Sequence, residues 1–337
     1  MKDIFWSEKG ESLDIGAVQP GEKKRFWLPV VQDGIGMPVR LPVMVARGKE
    51  PGPVLGLTAA LHGNELNGIP VIQQLFREID CEQLKGTVVG VLVMNVPGLM
   101  LQQRKFNDGV DLNRIAPGQA DGNVSEVYAH RLIDRILRHF DYLVDLHTAS
   151  AGRINSWYIR ADMSQEATAR MAILQNPDII LHNPPNDTTF RGAAARRGIH
   201  AITLELKDPH VFQNDVIEDG LIGIRNILYD LQMLPGAITW SAAETILCRY
   251  SQWIYTDEGG ILHVLPQLGQ TVGKGDRIAE VRSIFDEVEK VYWAPYDGVV
   301  IGRSISPINP TGSRILHLGG DPQVVPCALE GLPLISS

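Results

Sequence analysis

The chain has 337 residues, 44% of them hydrophobic and 21% charged, with a formal net charge of −8 at neutral pH. That length exceeds the size at which one hydrophobic core stops growing, so two domains are expected. The negative charge argues against nucleic acid as a partner, because phosphate binding calls for a basic field. No apolar run approaches the ~20 residues that span a bilayer, so no membrane partner is expected. Residues 1–9 lack the apolar core of a secretory signal. Cys81, Cys248 and Cys327 are widely spaced, with no CxxC pair. This fits a reducing, cytoplasmic location and argues against a cysteine-rich metal site. A homo-oligomer is left open.

Residues 1–50 read as a β-rich lead-in, in which Lys23 to Val31 and Met37 to Ala46 flank the turn-prone Asp33-Gly34-Ile35-Gly36. From residue 51 the pattern becomes strand–helix alternation, the mark of an α/β layer fold. The apolar run after Pro51-Gly52-Pro53 predicts a strand that delivers His62 and Glu65 into a loop rich in Gly and Asn. Ile69, Ile72, Leu75, Phe76 and Ile79 then follow at helical spacing. Thr87 to Asn95 is nearly continuous in apolar residues, as in a strand buried on both faces. Residues 99–123 form a long polar connection, a kind that tends to be functional. A helix is expected from about Ser125 as N-cap, with Leu132, Ile133 and Ile136 inward and Arg131, Arg135 and Arg138 outward. Strands are expected at 142–148, 155–160 and 199–206, and helices at 164–174 and 216–231. Beyond Pro235-Gly236 helical periodicity vanishes and short β segments with Gly-centred turns take over. The expected division is an α/β domain over 1–240 and a β-rich domain over 241–337.

His62 and Glu65 stand where a strand ends and a helix begins, the edge of an α/β sheet at which ligands collect. An imidazole and a carboxylate so close can grip one zinc ion, and a catalytic zinc takes three protein ligands and an open position. His147, at the end of another apolar strand, is the natural third. Asp145 faces the same side if that strand continues, either to orient a ligating imidazole or to satisfy a buried polar gap. Glu205 lies in the apolar stretch Ala201-Ile202-Thr203-Leu204-Glu205-Leu206. Burying a carboxylate is costly without compensation. A metal with its water would supply it and make Glu205 a general base; an ion pair with Lys207 or an arginine is the alternative. Arg104, Asn113 and Arg114 in the long loop, and Arg191 in Phe190-Arg191-Gly192-Ala193, could clamp a carboxylate or an oxyanion. Taken alone, such loop arginines are usually just solvated.

His62-Gly63-Asn64-Glu65, Arg104 with Asp111-Leu112-Asn113-Arg114, Asp145-Leu146-His147 and Thr203-Leu204-Glu205 stand in an order that resembles the succinylglutamate desuccinylase/aspartoacylase family over most of residues 40–235. The resemblance implies a mixed central sheet flanked by helices, the zinc carboxypeptidase-like α/β fold. It also implies one Zn2+ per chain on His62, Glu65 and His147, with Glu205 as base. Arg104 would polarise the scissile carbonyl, Asn113 and Arg114 would take the substrate carboxylate, and Arg191 would assist. The phrases Gly260 to Val281 and Trp293 to Ile301 resemble the flattened barrel of lipoyl and biotinyl carrier domains, so the C-terminal domain is expected to be an all-β barrel-sandwich. Lys290 lacks the flanking residues of a carrier lysine, so a scaffold without the carrier role is expected. The expected activity is zinc-dependent hydrolysis of the amide bond of a small N-acylated amino acid or related amine. A metallocarboxypeptidase acting on small peptides and a non-catalytic metal- or ligand-binding protein are the alternatives.

Overall fold

A computed structural model describes residues 4–6, 12–185 and 188–335. The chain is mixed α/β, with a large mixed sheet and a second, antiparallel sheet in its C-terminal part. It forms two compact units: Met1–His147 with Pro185–Leu204 and His210–Thr239, and Thr148–Pro184 with Glu205–Pro209 and Trp240–Ser337.

In the first unit the strands lie in the order Ile4–Trp6, Lys23–Gln32, Pro38–Arg47, Lys85–Val91, Glu50–Ala59, Tyr142–His147, then His200–Leu206 as far as Leu204. Glu50–Ala59 runs parallel to both Lys85–Val91 and Tyr142–His147, with Thr58 opposite Asp145. Strands flanked on both sides need apolar residues on both faces, and Leu55, Leu57, Val88, Val89, Leu143 and Val144 are fully buried. The expected helix is Gly68–Glu78, which buries Val71, Ile72, Leu75 and Phe76. The strand expected to run to Asn95 stops at Val91. Met94 and Asn95 instead donate their amides to the carbonyls of Ala59 and Ala60, and Asn95 caps the short helix Val96–Met100.

The helix expected from Ser125 is Val124–Ile136 and is capped by Asn123. The Asn123 side chain accepts from the Glu126 amide at 3.0 Å, and Glu126 accepts from the Asn123 amide at 2.9 Å. This reciprocal box satisfies two orphan donors, and Ser125 serves it by donating to Asn123 Oδ1. Arg131 and Arg135 do not simply point to solvent. They donate to the carbonyls of Val30 and Pro29, where the pairing of Lys23–Gln32 with Pro38–Arg47 shifts register. A bulge leaves ladder carbonyls unpaired, and the two guanidiniums take them.

In the second unit Trp157–Ala161, Ile179–His182, Glu244–Tyr255, Arg314–Pro326, Gly298–Ser304 and Thr271–Val272 are neighbours in that order, with Arg153–Asn155 beside Gly298–Ser304. The strand Ile179–His182 and the first unit's short helix Phe190–Ala195 were not expected. Each is too short to show a period. Among the described residues a four-stranded sheet, Val288–Trp293, Arg277–Arg282, Gly260–Val264 and Ile308–Asn309, completes the β-rich part. It packs over Leu262, Ile278, Val281, Ile315 and Leu316. Lys290 pairs with Asp257 at 3.0 Å within a strand.

Candidate functional site

The site grows from the end of Glu50–Ala59. Ala60 adopts a positive φ of 51°, which turns the chain sharply after the strand and presents His62 and Glu65, both buried. Gly63 has no room for a side chain, since a Cβ there would stand 2.0 Å from the Gly98 carbonyl carbon. The His62-Gly63-Asn64-Glu65 turn is tied to the start of the last helix of this unit. His210 donates its amide to the Asn64 carbonyl at 2.9 Å, and Asn67 and Gln213 exchange hydrogen bonds at 2.9 and 3.1 Å.

His147 ends the neighbouring parallel strand and meets that turn. His62 Nδ1 lies 2.9 Å from Glu65 Oε1, His147 Nδ1 lies 2.9 Å from Glu65 Oε2, and the two Nδ1 atoms are 3.2 Å apart. One donor atom from each of the three residues falls within 4.8 Å of the others, all of them buried. The outer nitrogens are held as well. His147 Nε2 lies 2.8 Å from Asp145 Oδ2, and Asp145 Oδ1 accepts from the Thr58 hydroxyl at 2.6 Å. His62 Nε2 lies 3.1 Å from Asp111 Oδ1. Asp145 thus contacts the His147 ring and is itself satisfied in the core, as both roles open to it require.

The charges explain the protonation pattern. Burial opposes ionisation of Glu65, but His62, His147 and Arg104 outweigh it and hold its carboxyl well below the usual range. Burial likewise opposes charge on His147, yet Asp145 and Glu65 raise its pKa well above the ordinary value. Asp111 is lowered too, with His62 and Arg104 overcoming its burial. Three carboxylates gather around two buried imidazoles, with Arg104 beside them. Two nitrogens and a carboxylate oxygen, with carboxylates behind both imidazoles, are the donor chemistry of a zinc site. The residues therefore fit the ion.

Arg104 reaches the same cluster. Its Nη1 donates to Glu65 Oε1 at 2.8 Å, and its Nε and Nη2 each lie 3.0 Å from Asp111 Oδ2. Asn113 uses its side-chain oxygen to accept from the Phe190 amide at 2.8 Å, which brings the long loop to the segment that carries Arg191. Arg191 is buried, whereas Arg114 is exposed and donates to the Asn113 carbonyl. Glu205 belongs to the second unit, where Arg160 and Asn155 face it. The arginine expected as its alternative partner is thus Arg160. Asp111 stood inside a recognised block without a role, and its position seven residues after Arg104 in one polar loop was the available signal. His210 carried no such signal.

Asp145→Asn is expected to keep the fold and weaken zinc binding about 10–100-fold, the usual cost of losing a group that orients a ligating histidine. Titration with a competing chelator measures it, and unchanged affinity would remove Asp145 from that role.

The family model described as the succinylglutamate desuccinylase/aspartoacylase catalytic domain matches residues 51–231. The N-alpha-acetyl-L-2,4-diaminobutyric acid deacetylase of Halomonas elongata is 27% identical over 280 residues, covering 79% of this chain and 81% of the relative. The succinylglutamate desuccinylase of Pseudomonas paraeruginosa is 28% identical over 172 residues, 47% of this chain and about half of that enzyme (52%). A succinylglutamate desuccinylase/aspartoacylase from Rhodobacter sphaeroides superposes with a TM-score of 0.81 at 22% identity, covering 92% of this chain and 98% of that one. The product-bound ectoine utilization protein EutE from Ruegeria pomeroyi also gives 0.81 at 22% identity, covering 90% and 97%. With the catalytic-domain match spanning more than half of its length and the recognised blocks falling within it, this chain belongs to the succinylglutamate desuccinylase/aspartoacylase family.

Proposed function

We propose that this protein is a zinc-dependent amidohydrolase that removes a small acyl group from an N-acylated amino acid or related amine. The observation that carries the reading is the convergence of His62, Glu65 and His147 on one buried point, each with a donor atom directed there. These residues would hold one Zn2+, which supplies Lewis-acid chemistry when bound, activating water and polarising a carbonyl. Glu205 takes the proton of the attacking water and passes it to the leaving amine. Arg104, a fixed positive charge beside Glu65, faces the oxyanion that develops on the carbonyl. Asn113, Arg114 and Arg191 take the substrate carboxylate, for which a guanidinium offers a planar two-pronged fit.

Support for the small N-acyl substrate comes from the relatives, one named as an acetyldiaminobutyrate deacetylase and others as succinylglutamate desuccinylases. The test is a hydrolysis panel of N-acetyl diamino acids, N-succinylglutamate, N-acetylaspartate and short peptides, run with metal analysis of the purified protein. Turnover of at least one N-acyl amino acid, lost on chelation and restored by zinc, is expected. Cleavage of peptides alone would make the protein a carboxypeptidase, and turnover of nothing with metal bound would leave a binding protein.

A further inference from the structure

We propose that Arg160 and Asn155 are positioning residues for Glu205, and that a strand of the C-terminal β-rich part sets the position of Asn155. The inference rests on Glu205 acting as the base, and it gives a C-terminal strand an indirect part in placing that base.

All of the observations lie within the second unit. Arg160, on the strand Trp157–Ala161, donates from Nε to Glu205 Oε1 at 3.3 Å and from Nη2 to the Tyr158 hydroxyl at 2.7 Å. Its guanidinium also lies 5.2 Å from the Tyr158 ring centroid, so it is held from both edge and face. Asn155 Nδ2 donates to the other carboxylate oxygen, Oε2, at 3.4 Å. The charged and titratable groups facing Glu205 from the strand Trp157–Ala161 are Arg160 and Tyr158, and the Asn155 amide faces it from the short strand before. Each oxygen thus meets a donor from a different element, and turning the carboxylate would break at least one contact. Both contacts are longer than the 2.7–2.9 Å of a strong charge-assisted bond. A carboxylate has about four lone-pair sites, so two long contacts orient it and leave capacity to accept a proton. A general base must combine these properties, because its lone pair has to be aimed within hydrogen-bond reach of the water it deprotonates.

Asn155 is fixed from the other side of the sequence. Arg153–Asn155 pairs antiparallel with Gly298–Ser304, which puts Asn155 opposite Gly302. The Ser156 amide donates to the Ile301 carbonyl at 2.8 Å. A Cβ at position 302 would stand 2.4 Å from Asn155 Oδ1. Asn155 is buried, so its amide has little room to yield, and a side chain at 302 would push it from its place beside Glu205. Gly302 is therefore a steric requirement of the carboxylate's position, although its residue never touches Glu205.

The experiment is steady-state kinetics of the full chain on the N-acyl amino acid it hydrolyses, with metal content and thermal melting recorded for every variant. Arg160→Gln, Asn155→Ala and Gly302→Ala are each expected to lower kcat about 10–100-fold, the scale on which a small misplacement of a catalytic group acts. KM and metal content should stay near the parent values. Arg160→Lys should recover part of the loss, and Gly302→Ala combined with Asn155→Ala should be no slower than Asn155→Ala alone, because both act through one amide. If Arg160→Gln fails to fold, the Asn155 and Gly302 pair decides. Parent-like kcat in Asn155→Ala, a change confined to KM, or additive losses in the double variant would overturn the proposal. Full activity in Glu205→Gln would instead sink the base assignment beneath it.

Discussion

Glu205→Gln is expected to lower kcat by about 10²–10⁴-fold, the range that a positioned general base contributes, with metal content unchanged from the parent. The amide is nearly isosteric with the carboxylate, so it can still face Arg160 and Asn155, but it cannot take a proton from water. The competing account makes Glu205 only the partner of Arg160, with which it sits at 3.3 Å. On that account the substitution would lower the melting temperature and leave turnover intact. The two outcomes separate cleanly when kcat, metal content and melting are measured on one preparation. Wild-type-like turnover would refute the catalytic role.

His147→Ala is expected to act on the metal first and on activity as a consequence. The ring links two buried carboxylates: its Nδ1 faces Glu65 and its Nε2 faces Asp145. As it is one of the three proposed donors, its loss should lower zinc affinity by more than the ~100-fold expected when only an orienting partner is lost. The substitution also leaves Asp145 and Glu65 facing a void. Breaking a buried ion pair costs about 3–5 kcal/mol, so the metal-free variant should melt well below the metal-free parent. Metal stoichiometry by elemental analysis and paired melts in chelator check both halves. A full zinc complement in His147→Ala would remove this residue from the ligand set and leave the site without its third donor.

These two variants probe different kinds of legibility. His62 and His147 could be singled out because each follows an apolar run at a strand end, and Glu65 because it shares the turn with His62. Parallel strands side by side deliver their ends to one sheet edge, whatever their separation along the chain. Glu205 was visible for a related reason, since a charge inside an apolar strand demands compensation. Its partner was not, because nothing in sequence spacing ties residue 160 to residue 205.

Local pattern settled where the alternating elements lie, that a His and a Glu share one turn, and that helical periodicity ends near residue 240, because period and turn chemistry act over a few residues. Tertiary structure alone decided that Asp111 backs His62, that Arg131 and Arg135 fill the open carbonyls of a bulge, and that Gly302 leaves room for Asn155. Each of those contacts joins side chains or backbone groups from elements far apart in the chain. Their partners are chosen by strand register and packing, quantities that exist only once the chain has folded.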